Sequence, residues 1–453
     1  MKSTSLKVLM KGLTESEVPD IQVNSCITDS RTVHAGSVFV AIKGENFDGN
    51  DYAESALKNG ASAAVVMRGE GPCMIKVKDT RDAYCGMAGN YRDQFSPLVV
   101  GVTGSVGKTT TKEMVAAIFS SFEKNTLKNL ENRNNEIGLP ETVFKMDDST
   151  KLAVFEMGMS GLGEISRLSR CVKPHAGIIT YIGVSHIEML GSRENILKAK
   201  LEIIDGMDKD GFLVINGDDP YLLGARNSIP VRTYTFGTEN ENCDVTADDI
   251  KNHGFSTSFR IKDKEHGIFE TDIPCSGIHN VKDAISAYSL ATRLGFDPGK
   301  CAAALSDYAP AGMRQRFRDV RGMTVIEDCY NAAPESMESS LRILSDLDCE
   351  GKRIAVLGDM LELGKVSVDS HKKVGSLVGE FGIDILLCYG EMSSYIADEA
   401  VKAGVPEVRH FDDKAELARY LCDIAKKGDI ILFKASRGMA LEDAINMFYG
   451  DEK

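Results

Sequence analysis

One stretch constrains this chain more than any other: Leu98-Val-Val-Gly-Val-Thr-Gly-Ser-Val-Gly-Lys-Thr-Thr-Thr111. Its apolar run from Leu98 to Val102 reads as a buried strand, and behind it Met114, Val115, Ile118, Phe119 and Phe122 recur at helical spacing. Strand, glycine-rich turn and helix form the setting that a phosphate-binding loop requires. Gly104 and Gly107 free the backbone to turn N–H groups toward an anion, and the helix N-terminus adds the positive end of its dipole. Within Gly104-Ser105-Val106-Gly107-Lys108-Thr109-Thr110, Lys108 is spaced to reach terminal phosphates and Thr109 to offer a hydroxyl to Mg2+. The strict pattern has another glycine five places before Gly107, where this chain has Val102. A glycine turn with a surface lysine is the bland alternative; the context favours an ATP site.

At 453 residues the chain has room for several domains and ample core. Its formal net charge of −14 argues against nucleic-acid or anionic-membrane binding, so an anionic substrate needs a locally basic site on an acidic body. Met1 to Lys11 lacks the apolar core of a signal peptide, and no run is long enough to span a bilayer. The expected location is the cytoplasm. The 11 cysteines are scattered with no Cys-x-x-Cys pair, which suits reduced thiols acting as small buried hydrophobes.

Along the chain, Ser37–Ile42 and Ser62–Met67 read as strands around a helix over Asp51–Asn59. Polar clusters Thr28-Asp-Ser-Arg31 and 43–50 read as loops, and Ser96-Pro97 as a linker. From Leu98 to about Pro310, strands at Leu98–Val102, Leu152–Phe155, Gly177–Tyr181 and Phe212–Ile215 alternate with helices, which argues for a parallel sheet. The segment Val231–Ile273, alternating apolar and polar residues, reads as an antiparallel hairpin insert, and a helix resumes over Val281–Leu294. After Gly312 a second alternating unit has strands at Thr324–Glu327, Arg353–Leu357, Ile383–Tyr389 and Asp429–Phe433. It lacks the Gly-x-Gly-x-x-Gly fingerprint of dinucleotide binding.

Four features could carry chemistry. Glu156 follows an apolar strand, where parallel sheets place ligands, and a carboxylate beside a phosphate loop suits Mg2+; a solvated strand-end glutamate is the alternative. His186 follows the next strand at an equivalent place, although a lone histidine is more often structural. At 100° per residue along a helix over Arg193–Met207, Lys200 falls among Ile196, Leu197, Leu201, Ile203, Ile204 and Met207. Either its stem snorkels out to water, or it is buried and must be paired, neutralised or converted by CO2 to a carbamate able to ligate metal. Asn132-Arg-Asn-Asn-Glu-Ile-Gly138 is dense in amides and reads either as a site loop or as a capped loop before a helix.

Together these pieces resemble the Mur ligases, the ATP-dependent amide-bond-forming enzymes of cell-wall precursor synthesis. The resemblance spans nearly the whole chain. It rests on Asp29-Ser-Arg31, Gly101-Val-Thr-Gly-Ser-Val-Gly-Lys-Thr-Thr110, Asn132-x-Asn-Asn-Glu-Ile-Gly-Leu-Pro140, Glu156-Met-Gly-Met159, His186 and Ala199-Lys-x-Glu202. It continues through Gly277-x-His-Asn280, Met313-Arg314, Asp328-x-Tyr-Asn-Ala-x-Pro334, Leu357-Gly-Asp-Met-x-Glu-Leu-Gly364 and Ser436-Arg-Gly438.

The resemblance implies an α/β protein of three domains. Residues 1–95 would be a small mixed α/β unit holding a UDP-sugar, 96–311 a central P-loop parallel-sheet ATPase domain, and 312–453 a Rossmann-like domain closing the site over the incoming amine. The implied reaction joins D-alanyl-D-alanine to UDP-N-acetylmuramoyl-tripeptide through an acyl phosphate, in a monomer needing no nucleic acid and no membrane insertion. By this carry-over Lys108 and the loop from Gly104 to Thr110 bind phosphates, and Thr109 and Glu156 serve magnesium. His186 and a carbamylated Lys200 serve a second ion. Asn280 lies near adenine, Arg314 near the γ-phosphate and Asp328 near ribose. Asp29, Ser30 and Arg31 border the UDP-sugar, while Asn134, Asn135, Tyr330 and Asn331 contact substrate. Departures from the family pattern are Asn50 for histidine, Val106 for a polar residue, Asp283 and Ala333 for asparagine, and Ala435 for glycine. Another ligase of the superfamily and a non-catalytic nucleotide-binding relative are the competing readings.

Overall fold

Strand Leu98–Thr103 shows how the chain builds a two-faced sheet. Successive side chains point to opposite faces, so Val99 joins one apolar core while Val100 and Val102 join another. The computed structural model describes residues 1–44, 46–130, 132–310 and 312–450. Ala311, at the expected second boundary, Glu45 in the polar cluster 43–50, and the final residues 451–453 lie outside the described residues.

The central sheet runs in the order Gly267–Ile273, Thr257–Asp263, Val245–Asn252, Arg232–Gly237, Phe212–Asn216, Ala176–Ile179, Leu98–Thr103, Leu152–Glu156, Thr126–Lys128. From Val245–Asn252 to Thr126–Lys128 every pairing is parallel. The expected hairpin insert is therefore not separate. Arg232–Gly237 pairs parallel with Phe212–Asn216, and the next three strands extend the same sheet with two antiparallel pairings. Their alternation lets Phe259, Ile261 and Ile273 join the core with helix Ile278–Arg293 while the opposite face meets water.

Helix Arg193–Leu201 also ends earlier than its apolar spacing suggests, giving way to a 3-10 turn over Glu202–Gly206. Partners on other segments hold this turn in place. Ser169 Oγ donates to the Ile203 carbonyl and accepts from Gly206 N–H, while the Glu202 carboxylate accepts from Gly163 N–H at 2.7 Å.

The preceding unit has a parallel sheet in the order Ser25–Ile27, Ser37–Val40, Ala63–Val66, Met74–Lys76. Helix Thr80–Arg92 follows, capped by Asp79, whose carboxylate accepts from Arg81 and Asp82 N–H. Its Tyr84 and Tyr91 rings each lie 5.6 Å from the Phe144 ring. A single apolar cluster thus contains Leu6, Val38, Tyr84, Val99, Phe144, Phe155 and Ile215.

The last unit's sheet runs Arg316–Val320, Met323–Glu327, Ile430–Lys434, Arg353–Gly358, Ile385–Tyr389, Glu407–Phe411, parallel except for the first pairing. Its two edge strands, with their mixed polar sequences, carry no clear apolar signal and escape the sequence reading. No helix among the described residues is long and apolar enough to cross a membrane.

Candidate active site

Strand order makes the crevice. From Leu98–Thr103 the chain moves outward to Thr126–Lys128, returns to Leu152–Glu156 between them, and then crosses to Ala176–Ile179 on the other side. Strand ends diverge at such a reversal and leave room for a ligand. The cavity there, about 750 Å³, is lined from one side by the glycine-rich loop and Glu156 and from the other by Arg314, Asp328, Tyr330 and Lys434.

The loop is shaped by two glycines with positive φ, Gly104 at 149° and Gly107 at 83°. A Cβ at Gly104 would collide with the Thr180 hydroxyl, and one at Gly107 would sit 2.5 Å from Asp283 Oδ1. Ser105 N–H donates to the Tyr181 carbonyl at 2.8 Å, and Gly183 N–H donates to Ser105 Oγ at 2.9 Å. Lys108 Nζ folds back onto the Gly104 and Ser105 carbonyls, at 2.8 and 3.0 Å. Burial brings its ammonium down to about 8; Glu156 opposes that fall and Arg314 adds to it.

Glu156, the last residue of its strand, is 2% exposed. Thr109 Oγ1 donates to its Oε2 and Asn134 Nδ2 to its Oε1, each at 2.8 Å. Lys112 Nζ stands 3.8 Å from the same carboxylate. Asn129 grips the strand end, accepting from Glu156 N–H at 2.8 Å and donating to its carbonyl at 3.0 Å. Lys112 and Asn129 escape the sequence reading. Lys112 carried a usable signal: it shares a helical stripe with Val115 and Phe119, the argument applied to Lys200.

Lys200 is 1% exposed, and among the described residues no carboxylate pairs with it. Burial first, and then the charge of Lys108, holds its ammonium well below the usual range. It is not among the residues that line the cavity. His186 does line the cavity, and its Nδ1 meets Glu362 Oε2 of the last unit at 2.6 Å. That hydrogen bond holds the Glu362 carboxyl below its usual range.

Across the cavity, the Arg314 guanidinium stacks 4.0 Å from the Tyr330 ring centre. Gln315 ties the linker to helix Ile278–Arg293. Its Oε1 accepts from Asn280 Nδ2 at 2.8 Å, which turns its amide N–H toward His279 Nε2. Burial brings the His279 ring down to about 4, so the ring is neutral and can accept. Asp328 Oδ2 accepts from Lys434 Nζ and Ser340 Oγ, both at 2.6 Å.

Three comparisons bear on this arrangement. Models described as the Mur ligase family catalytic domain, the Mur ligase middle domain and the Mur ligase glutamate ligase domain match residues 22–84, 102–291 and 313–437. The UDP-N-acetylmuramoyl-tripeptide--D-alanyl-D-alanine ligase of Bacillus subtilis (strain 168) is 39% identical over 445 residues, 96% of each chain. The chain belongs to the Mur ligase family. Among solved structures, a MurF from Acinetobacter baumannii superposes with a TM-score of 0.90 at 28% identity over 99% of both chains. A MurF ligase from Thermotoga maritima in complex with ADP gives 0.85 at 29% identity, over 94% of this chain and 97% of that one.

Not every anticipated residue of this Mur ligase gathers at the cavity. Asp29, Ser30 and Arg31 do not line it. Asp29 instead caps the turn Ser30–Thr32 and pairs with Arg31 at 2.7 Å; hydrogen bonds from Arg31 hold its carboxyl down to about 2. Asn135 lines the cavity, but its side-chain oxygen accepts from Ile137 and Gly138 N–H, the capped-loop alternative. Asn331 lines the cavity too, its Oδ1 accepting from Ala332 N–H beside it. Asn50 braces its loop, accepting from Met67 N–H at 2.8 Å and donating to Asp48 at 2.6 Å. Asp283, one of the departures from the family pattern, lines the cavity with its carboxyl against the loop glycine. For magnesium, no cage of three His, Cys, Asp or Glu side chains exists among the described residues. The Thr109 hydroxyl and Glu156 carboxylate are nonetheless the oxygen donors that suit an ion whose other ligands are phosphate and water.

Proposed function

We propose that this Mur ligase uses ATP to join D-alanyl-D-alanine to UDP-N-acetylmuramoyl-tripeptide. The observation that carries the reading is the Thr109–Glu156 pair beside the phosphate-binding loop, facing Arg314 across one cavity, in a chain matched end to end by a relative with that activity. A carboxylate is a poor electrophile. Its oxygen therefore attacks the γ-phosphate, ADP departs, and the resulting acyl phosphate is taken by the free amine of the dipeptide with release of phosphate.

In this reading Lys108 leaves its two loop carbonyls for the phosphates, the loop amides cradle them, and Arg314 meets charge developing on the transferred group. Magnesium, when bound, neutralises phosphate charge. Thr109 and Glu156 would hold one ion, with Asn134 and Lys112 fixing the carboxylate; His186 and a carbamylated Lys200 would serve a second. Burial of Lys200 supports the carbamate, since only an uncharged amine reacts with CO2. Asn280 would meet adenine, Asp328 ribose, and Tyr330 and Asn331 the incoming amine substrate. Asp29, Ser30 and Arg31 would border the UDP end within residues 1–95, with 96–311 holding ATP and 312–453 closing the site.

Phosphate release is the test, measured with ATP, Mg2+, UDP-N-acetylmuramoyl-tripeptide and D-alanyl-D-alanine and with each left out in turn. Release that requires both acceptors, with a product heavier by one dipeptide, is the expected result. Release with single amino acids or folates in place of either acceptor would refute the assignment.

A further inference from the structure

We propose that Asp283 is a proton-dependent positioning residue: it holds the phosphate-binding loop ready for nucleotide only while its carboxyl carries a proton. The inference rests on the ATP reading above and concerns a residue to which that reading gives no role.

Asp283 projects from helix Ile278–Arg293, which packs along helix Lys108–Phe122, and is only 7% exposed. A Cβ at Gly107 would lie 2.5 Å from its Oδ1 and 3.2 Å from its Cγ, so the carboxyl sits directly against the glycine that opens the phosphate-binding helix. Beside it the Thr111 hydroxyl is buried and has no hydrogen-bond partner among the described residues. As an acid, Asp283 can donate to that hydroxyl or to a phosphate oxygen. As a carboxylate it would set a negative charge against amides whose task is to hold an anion.

The titratable groups facing it are Arg314 from the linker, Tyr308 before that linker, and Cys275 ahead of its own helix. The Thr111 hydroxyl and, after it, Arg314 favour the ionised form, but Arg314 makes no ion pair with Asp283 among the described residues. Burial prevails and pushes the carboxyl up to about 8. If only the protonated form accepts nucleotide, the competent fraction falls from about nine-tenths at pH 7 to about one-tenth at pH 9, weakening affinity about tenfold.

The experiment titrates ADP, by calorimetry from pH 7 to pH 9, into the wild type and Asp283→Asn. Lys108 titrates in both proteins, so the comparison isolates Asp283. The wild-type dissociation constant is expected to weaken about tenfold more over this range than that of the variant. Independently of the variant, adding ADP to the wild type at pH 9 should bring up a protonated-carboxyl band in the infrared difference spectrum, with proton uptake. Parallel pH profiles in a folded variant, or no such band, would overturn the inference and leave the ATP reading standing. No ADP binding by the wild type at pH 7 would overturn the ATP reading and this inference with it.

Discussion

Gly107→Ala isolates the geometry on which the nucleotide site depends. At φ 83° the backbone is left-handed, which costs an L-residue about 1–2 kcal/mol. The added methyl would also lie 2.5 Å from Asp283 Oδ1, so the loop or the helix behind it must yield, at on the order of 1 kcal/mol more. The loop borders a cavity and can relax into it, whereas helix Ile278–Arg293 is held in the core. The cost should therefore fall on nucleotide affinity rather than on melting temperature. A total of about 2–3 kcal/mol weakens ADP binding roughly 30- to 150-fold. Calorimetric titration with ADP measures this, and thermal unfolding shows whether the fold shares the cost. Asp283→Ala removes the oxygen that the methyl strikes, so a double-mutant cycle of the two substitutions should show a coupling of about 1 kcal/mol, whatever Asp283→Ala costs alone. If Gly107→Ala binds ADP within about twofold of the wild type, the loop is not held as described.

Thr109→Val removes the hydroxyl on Glu156 Oε2, and the magnesium concentration for half-maximal activity should rise about tenfold, measured by phosphate release across a magnesium series. Lys200→Ala should abolish synthesis, with short-chain carboxylic acids restoring part of it; full activity without additive removes the carbamate from the mechanism. Asp263 gives a pH signature remote from the cavity. Burial raises its carboxyl, but Arg293, at 2.8 and 2.9 Å, and His266 outweigh this and hold it at about 2. Its folded value lies below the unfolded one, so the stability it contributes is present above about pH 4 and is lost as pH falls toward 2. That loss is on the order of 2 kcal/mol. Acid unfolding followed by circular dichroism should show a shallower slope for Asp263→Asn, from a lower starting stability.

What was legible in the sequence came from local pattern. Leu98 to Val102 is a continuous apolar run, Gly104 and Gly107 bracket a turn, and Lys200 sits on an apolar stripe, all properties of a few neighbouring residues. Glu156 follows an apolar run, also a local feature; its nearness to the loop depends on Leu98–Thr103 pairing with Leu152–Glu156. What stayed hidden depends on residues far apart in the chain. Asn129 grips Glu156 only because Thr126–Lys128 lies beside Leu152–Glu156, and Glu362 meets His186 only because two units face one another. Where helix Arg193–Leu201 gives way to the Glu202–Gly206 turn, Ser169, on another helix, bonds both the Ile203 carbonyl and the Gly206 N–H, partners no local pattern announces. Asp29, Ser30 and Arg31 stand out as a polar cluster, but composition alone does not say which cavity a loop borders.

The apolar cluster that runs from Leu6 through Tyr84 and Phe144 to Ile215 pays no heed to the linker at Ser96-Pro97. The first unit and the central sheet share one interior, so neither can be cut free without baring the other's greasy face. Lineages that exchange whole modules between enzymes therefore have little freedom at this seam. Change in the first unit is more readily accommodated in its surface loops than by grafting a foreign unit onto an inherited sheet.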